Sequence, residues 1–169
     1  MALLMFLAPG FLARPALSCE VIGGPERPAS LVAHADVIAW VRAEGCSDRA
    51  EGPGSSGVDT ECQVRFRVLE VIRGKEPLES LSVRGYLTDD DDPNDVPLPY
   101  HFVRPRGRGG NCFAYQYKKG GEYLLMLRRM EGRLTPYWAA LAATNEQVHG
   151  HDDPWLQWVR TAVQVPVAP

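Results

Sequence analysis

Val64-Arg65-Phe66-Arg67-Val68-Leu69-Glu70-Val71-Ile72 is the stretch whose reading decides the fold. Val64, Phe66 and Val68 alternate with Arg65 and Arg67, and a period of two marks a strand with one face buried and the other in water. Arg73-Gly74-Lys75 closes the strand as a turn, and Leu81-Ser82-Val83-Arg84-Gly85-Tyr86 opens the next one. Upstream, Ala35-Asp36-Val37-Ile38-Ala39-Trp40-Val41 is a β-branched and aromatic run of strand type. Downstream, strands resume over Glu122–Leu127 and over Leu134–Trp138. A short helical piece over Pro28–His34 precedes the first strand. The stretch 47–60 has no hydrophobic pattern and reads as a loop, and 88–111 reads as a long polar excursion.

The C-terminal segment has another period. Asp153-Pro154 supplies an N-cap followed by proline at the first helical position. Trp155, Trp158, Val159, Ala162 and Val163 then fall on one helical stripe. That stripe is expected to pack on the strands. About five short strands and a terminal helix predict an all-β domain: a five-stranded OB-type Greek-key barrel with the C-terminal helix packed on it. The 16 glycines and 14 prolines suit that loop-rich architecture better than long helices. The chain has 169 residues, one domain's worth, with 45% hydrophobic and 23% charged residues. Such a composition argues against disorder and coiled coil. Its net charge of −3 favours neither nucleic acid nor an anionic membrane.

Residues 2–13 form an apolar run of signal-peptide length, too short to span a bilayer. It lacks a basic residue before Arg14, but Ala16-Leu17-Ser18-Cys19 offers small residues where a signal peptidase reads. Residues 1–18 are therefore expected to be a signal peptide, 19–164 the domain and 165–169 a flexible tail. Export places the chain outside the cell or in a periplasm, where cysteines pair. The four cysteines, Cys19, Cys46, Cys62 and Cys112, allow three pairings. Pairing Cys46 with Cys62 would tie the strands on either side of the Gly/Ser/Asp-rich loop, and leaves Cys19 with Cys112. The chain-entropy model values such loops at about 3 and about 4.7 kcal/mol respectively. Ala-Leu-Ser-Cys is also a loose lipobox, and a lipidated Cys19 would anchor the chain to a membrane and leave Cys112 odd.

Several constellations have a plainer reading than a ligand site. Asp89–Asp95 resembles a calcium loop but lacks the central glycine and terminal glutamate of an EF-hand. His149-Gly150-His151-Asp152-Asp153 carries ligand-type residues at the point where a helix begins, where Asp and Gly already have structural roles. Arg104-Pro105-Arg106-Gly107-Arg108-Gly109-Gly110 resembles a nucleic-acid tract, but attraction to the acidic run of the same excursion is the more economical account. No G-x-S-x-G, H-E-x-x-H or P-loop motif occurs. The expectation is a monomeric non-enzyme without cofactor, metal or nucleic-acid partner.

Taken in order, these pieces resemble the netrin-like domain of tissue inhibitors of metalloproteinases. The resemblance covers most of 19–160. It rests on a cysteine at the mature N-terminus, on Ala35-Asp36-Val37-Ile38-Ala39, on Val64–Val71 leading into Ile72-Arg73-Gly74, and on Cys112 shortly before Gly121-Glu122-Tyr123-Leu124-Leu125. It implies an OB fold, a Cys19–Cys112 disulfide, and a protein partner bound through Cys19 and Glu20. In that family the amine and carbonyl of the first cysteine occupy the open position of a catalytic zinc, which here would be a zinc metalloproteinase bound by Cys19, with Glu20 entering its specificity pocket. The chain departs from the family at Val21, where the inhibitors have a second cysteine, and in having no cysteine after Cys112. Cys46 and Cys62 are extra, and Glu20 replaces a small or hydroxylated residue. The resemblance thus implies the fold first, and inhibition second.

Overall fold

Val37–Cys46 is the spine of the protein: it is the strand to which both neighbouring hairpins attach. The computed structural model describes residues 28–47, 62–75, 77–95, 97, 104, 115–136, 138–139, 142–143 and 145–165. Along them run α1 (Pro28–His34), β1 (Val37–Cys46), β2 (Cys62–Arg73), β3 (Ser80–Thr88), β4 (Gln116–Lys118) and β5 (Glu122–Met130). β6 (Arg133–Pro136), β7 (Trp138–Ala139), β8 (Ala142–Ala143), β9 (Asn145–Val148) and α2 (Pro154–Gln164) follow. The main sheet has the order β4-β3-β2-β1-β5-β6, with β9 also on β5, while β7 and β8 pair with each other. All its ladders are antiparallel except β3–β4.

Alternation sorts the side chains of β1 and β5 into two cores. Val37, Ala39, Val41 and Ala43 of β1 join Tyr123, Leu125 and Leu127 of β5, with Val64, Phe66, Val83 and Tyr117, on one face. Ile38, Leu124 and Met126 point to the other face, where Leu31 and Val32 of α1 and Trp155, Leu156 and Val159 of α2 cover them. Burial on both faces explains why Tyr123–Leu127 is a continuous apolar run rather than an alternating one. The predicted stripe of α2 does pack on the sheet, joined there by Leu156. Asp153 caps the helix as expected: its Oδ1 accepts from Trp155 N at 2.8 Å, and its Oδ2 accepts from His149 N at 2.9 Å. No helix among the described residues is long and apolar enough to cross a membrane.

The sheet is strongly curled. β4 and β5 lie four strand positions apart on the path, about 19 Å in a flat sheet. Yet the Tyr117 ring on β4 and the Tyr123 ring on β5 are 5.1 Å apart, and Phe66 of β2 meets them at 4.9 and 6.1 Å. The turn between β4 and β5 spans the gap: Lys119 N donates to Thr88 O on β3, and Gly120 N donates to Ala43 O on β1. Gly85 makes the parallel β3–β4 contact possible, because a Cβ there would sit 2.4 Å from Tyr115 O and 2.7 Å from the Tyr117 ring.

The expectation of a β-rich domain with a packed C-terminal helix and a disulfide agrees with this fold. The strand count does not agree: nine strands are described where five were expected, and the ladders form an open seven-stranded sheet rather than a closed five-stranded barrel. The physical reason lies in β5. Its one edge is taken by β1 and its other by β6 and β9, so no edge remains to pair with β4. The expected strand over 134–138 is divided between β6 and β7. The expected signal peptide, with all of residues 1–27, and most of the 165–169 tail lie outside the described residues.

Candidate functional site

Cys19 and Glu20, the expected partner-binding pair, and Cys112 lie outside the described residues. Cys46 and Cys62 are joined, with Cα atoms 5.8 Å apart. They sit at the end of β1 and the start of β2, where the antiparallel register brings Cys46 opposite Val64. The bond therefore joins the two strands between which residues 48–61 run in sequence.

A groove follows from how α1 and α2 are laid on the sheet. Each turns its apolar stripe downward, and between them remains an open groove of about 680 Å³. Val32 and Ala33 of α1 line one wall, and Trp158, Ala162 and Val163 of α2 line the other. Val165, 62% exposed, extends the apolar surface past the helix end. Thr161, His34 and Arg73 supply the polar rim. Arg73 donates to Val32 O and so ties the end of α1 to β2. Around His34 and Arg73 the groove runs into a second cleft of about 490 Å³.

A buried polar cluster sits inside the curl. Arg104, 1% exposed, donates from Nη2 to Gln116 O at 2.7 Å and to Asn145 Oδ1 at 2.9 Å, and its Nε faces Asp92 Oδ2 at 3.9 Å. Its guanidinium lies over the rings of Tyr117 and Tyr123, 5.3 and 5.1 Å from their centroids. Asn145 Nδ2 in turn donates to the Tyr117 hydroxyl at 2.9 Å, and that of Tyr123 accepts from Lys118 N. Burial pushes both phenols above the ordinary tyrosine range, so they stay neutral beside the cation. This cluster ties Arg104 and Asp92 to β4, β5 and β9. The expected attraction between the acidic and basic parts of the excursion is present as Arg104 with Asp92, but in the interior, where salt screens it little. Of the basic tract 104–110 only Arg104 is described. Sequence reasoning named Arg104 only as part of a flexible basic tract, because Arg-Pro-Arg-Gly carries the composition of a solvated loop; no local signal marks one arginine as interior.

The acidic run is engaged by protein donors. Asp91 accepts from Lys118 Nζ and, at 2.6 Å, from Gln147 Nε2, and these bonds hold its carboxyl below the usual aspartate range. Asp92 N donates to Gln147 Oε1 at 2.8 Å, and Asp95 meets His149 Nε2 at 2.8 Å. His151 faces Asp152 and lies edge-on to Trp40, 5.9 Å between ring centroids. The two histidines thus serve different neighbours. Among the described residues no three His, Cys, Asp or Glu side chains converge as a metal site. Neither a protein-family model nor a curated protein sequence matches the chain.

Proposed function

We propose that this chain is an exported protein-binding domain of the netrin-like type. In this reading Cys19 and Glu20 form the leading edge and the α1–α2 groove forms the adjoining contact surface. The observation that carries the proposal is the groove itself: an apolar surface rimmed by polar side chains is what a protein partner buries. Glu20 stands eight positions before Pro28, the start of α1. At no more than about 3.6 Å per residue, that segment keeps the groove within about 29 Å of the leading edge. The Cys46–Cys62 bond supports export, since such bonds persist in oxidising compartments.

An OB-type Greek-key arrangement, left open between β4 and β5, is the fold that goes with this reading. The antiparallel β1–β2–β3 run, the parallel β3–β4 edge and the turn that spans the two ends of the curl support it. The sharpest mechanism is inhibition of a zinc metalloproteinase. The neutral Cys19 amine and carbonyl would take the zinc's open position, and a Cys19–Cys112 disulfide would hold them so that little entropy is lost on docking.

The test begins with the intact, unreduced mass and the N-terminal peptide of protein recovered from its native host. Two disulfides and a free Cys19 amine are expected, and inhibition of zinc proteases should vanish when one residue is added before Cys19. Unchanged inhibition by the extended form overturns chelation. A diacylglyceryl mass on Cys19 replaces the reading with a membrane-anchored lipoprotein.

A further inference from the structure

The second cleft differs in chemistry from the groove it adjoins. Among the described residues His34, Asp36, Arg73, Lys75, Leu78 and Arg129 line it, and of these three are permanent cations and one is a carboxylate, in a chain whose net charge is −3. Two stretches of the chain, the end of β2 with the turn after it and β5, deliver those cations. Arg73 ends β2, and Lys75 follows across Gly74, whose φ of +139° is a conformation that side chains rarely adopt. Arg129 comes from β5, where its backbone N donates to Asp36 Oδ2 at 2.7 Å and so fixes the far wall against the start of β1. Val37 and Leu78 add apolar surface to the lining. A volume of about 490 Å³ lies within the range of about 300–1,000 Å³ typical of ligand pockets.

We propose that this cleft docks an acidic segment of a protein partner, with a carboxylate held among Arg73, Lys75 and Arg129 and a neighbouring aliphatic side chain resting on Val37 and Leu78. The proposal rests on reading the chain as a protein-binding domain, but not on the Cys19 mechanism. Guanidinium forks match carboxylate geometry, which favours this class of anion. The apolar side chains of Val37 and Leu78 would strip water from sugar hydroxyls without replacing their hydrogen bonds, which disfavours a sulfated glycan. Asp36 on the rim repels densely charged polyanions more than it repels a segment with one or two carboxylates.

The experiment is a heteronuclear NMR titration of isotope-labelled protein with the peptide acetyl-Leu-Glu-Leu-Asp-amide. Its uncharged analogue acetyl-Leu-Gln-Leu-Asn-amide and a heparin-derived oligosaccharide are titrated in parallel. The acidic peptide should shift the backbone signals of His34, Gly74, Lys75 and Arg129. The uncharged analogue should bind about tenfold more weakly, or less, and so should the acidic peptide to the Lys75→Glu/Arg129→Glu variant. Both variant positions are exposed, and an otherwise unchanged spectrum verifies that the fold is retained. Absence of localised shifts, equal binding of the uncharged analogue, or tighter binding of the oligosaccharide at the same residues overturns the proposal. Adding one residue before Cys19 should leave these shifts unaltered, so failure of the amine mechanism and failure of the cleft are separately visible.

Discussion

Arg104 is a full charge at 1% exposure, and that makes it the residue on which the polar excursion depends. Its partners are a backbone carbonyl, a side-chain amide, two ring faces and Asp92, itself only 7% exposed. Replacing Arg104 with alanine removes the cation that faces a buried carboxylate, which typically costs about 3–5 kcal/mol. Urea denaturation of Arg104→Ala should show a loss in that range; a loss under about 1 kcal/mol would mean that the cluster is incidental. His149 acts more gently. Its hydrogen bond to Asp95 raises the imidazole above its ordinary value. The contact therefore stabilises fully below about pH 6.5, the unfolded value, and the gain is lost as pH rises through the higher folded-state value. Both side chains are mostly exposed, which limits the gain to under about 1 kcal/mol. Unfolding free energies from urea denaturation at about pH 5.5 and about pH 8.5 should differ by up to that amount in the parent and converge in Asp95→Asn.

At the scale of elements, the strand pair β3–β4 and the start of α2 are the points most sensitive to a single change. Gly85→Ala places a methyl group against Tyr115 O and the Tyr117 ring, and overpacking of that kind costs about 1–3 kcal/mol. Thermal unfolding of the variant measures it, and an unchanged midpoint would show that β4 can shift away freely. Asp153→Ala removes the acceptor for both Trp155 N and His149 N. It should lower stability by about 0.5–2 kcal/mol, the usual value of an N-cap, readable by urea denaturation monitored on the tryptophans. β2, β3 and α2 were legible because each carries its own period, two for the strands and helical for Trp155–Val163, and β1 and β5 because each is an unbroken β-branched or apolar run. β4 and β9 were not. Gln116-Tyr117-Lys118 and Asn145-Glu146-Gln147-Val148 are short and mostly polar, yet β9 is buried along its whole length. They are strands because β3 and β5 offer them an edge, and a local pattern holds no record of a neighbour's edge.

For the whole molecule, the Cys46–Cys62 clasp and the curl of the sheet set the surfaces available to a partner. With a sequence separation of 16, the bond should contribute about 3 kcal/mol by restricting the unfolded chain. A Cys46→Ser/Cys62→Ser variant should unfold at correspondingly lower urea concentration, and an unchanged midpoint would place the stability of β1–β2 wholly in packing. By itself the sequence determined what depends on neighbours along the chain: the buried face of β2 from Val64 and Phe66, the cap and stripe of α2 from Asp153 to Val163, and the pairing of Cys46 with Cys62 from the loop between them. Only the tertiary structure decided how β4 comes to face β5, why Arg104 lies inside, and where the groove and the cationic cleft open. Those features join residues far apart in sequence, Arg104 with Asn145 and Arg73 with Arg129. Their energy exists only once the sheet has curled, which no local period of apolar side chains encodes.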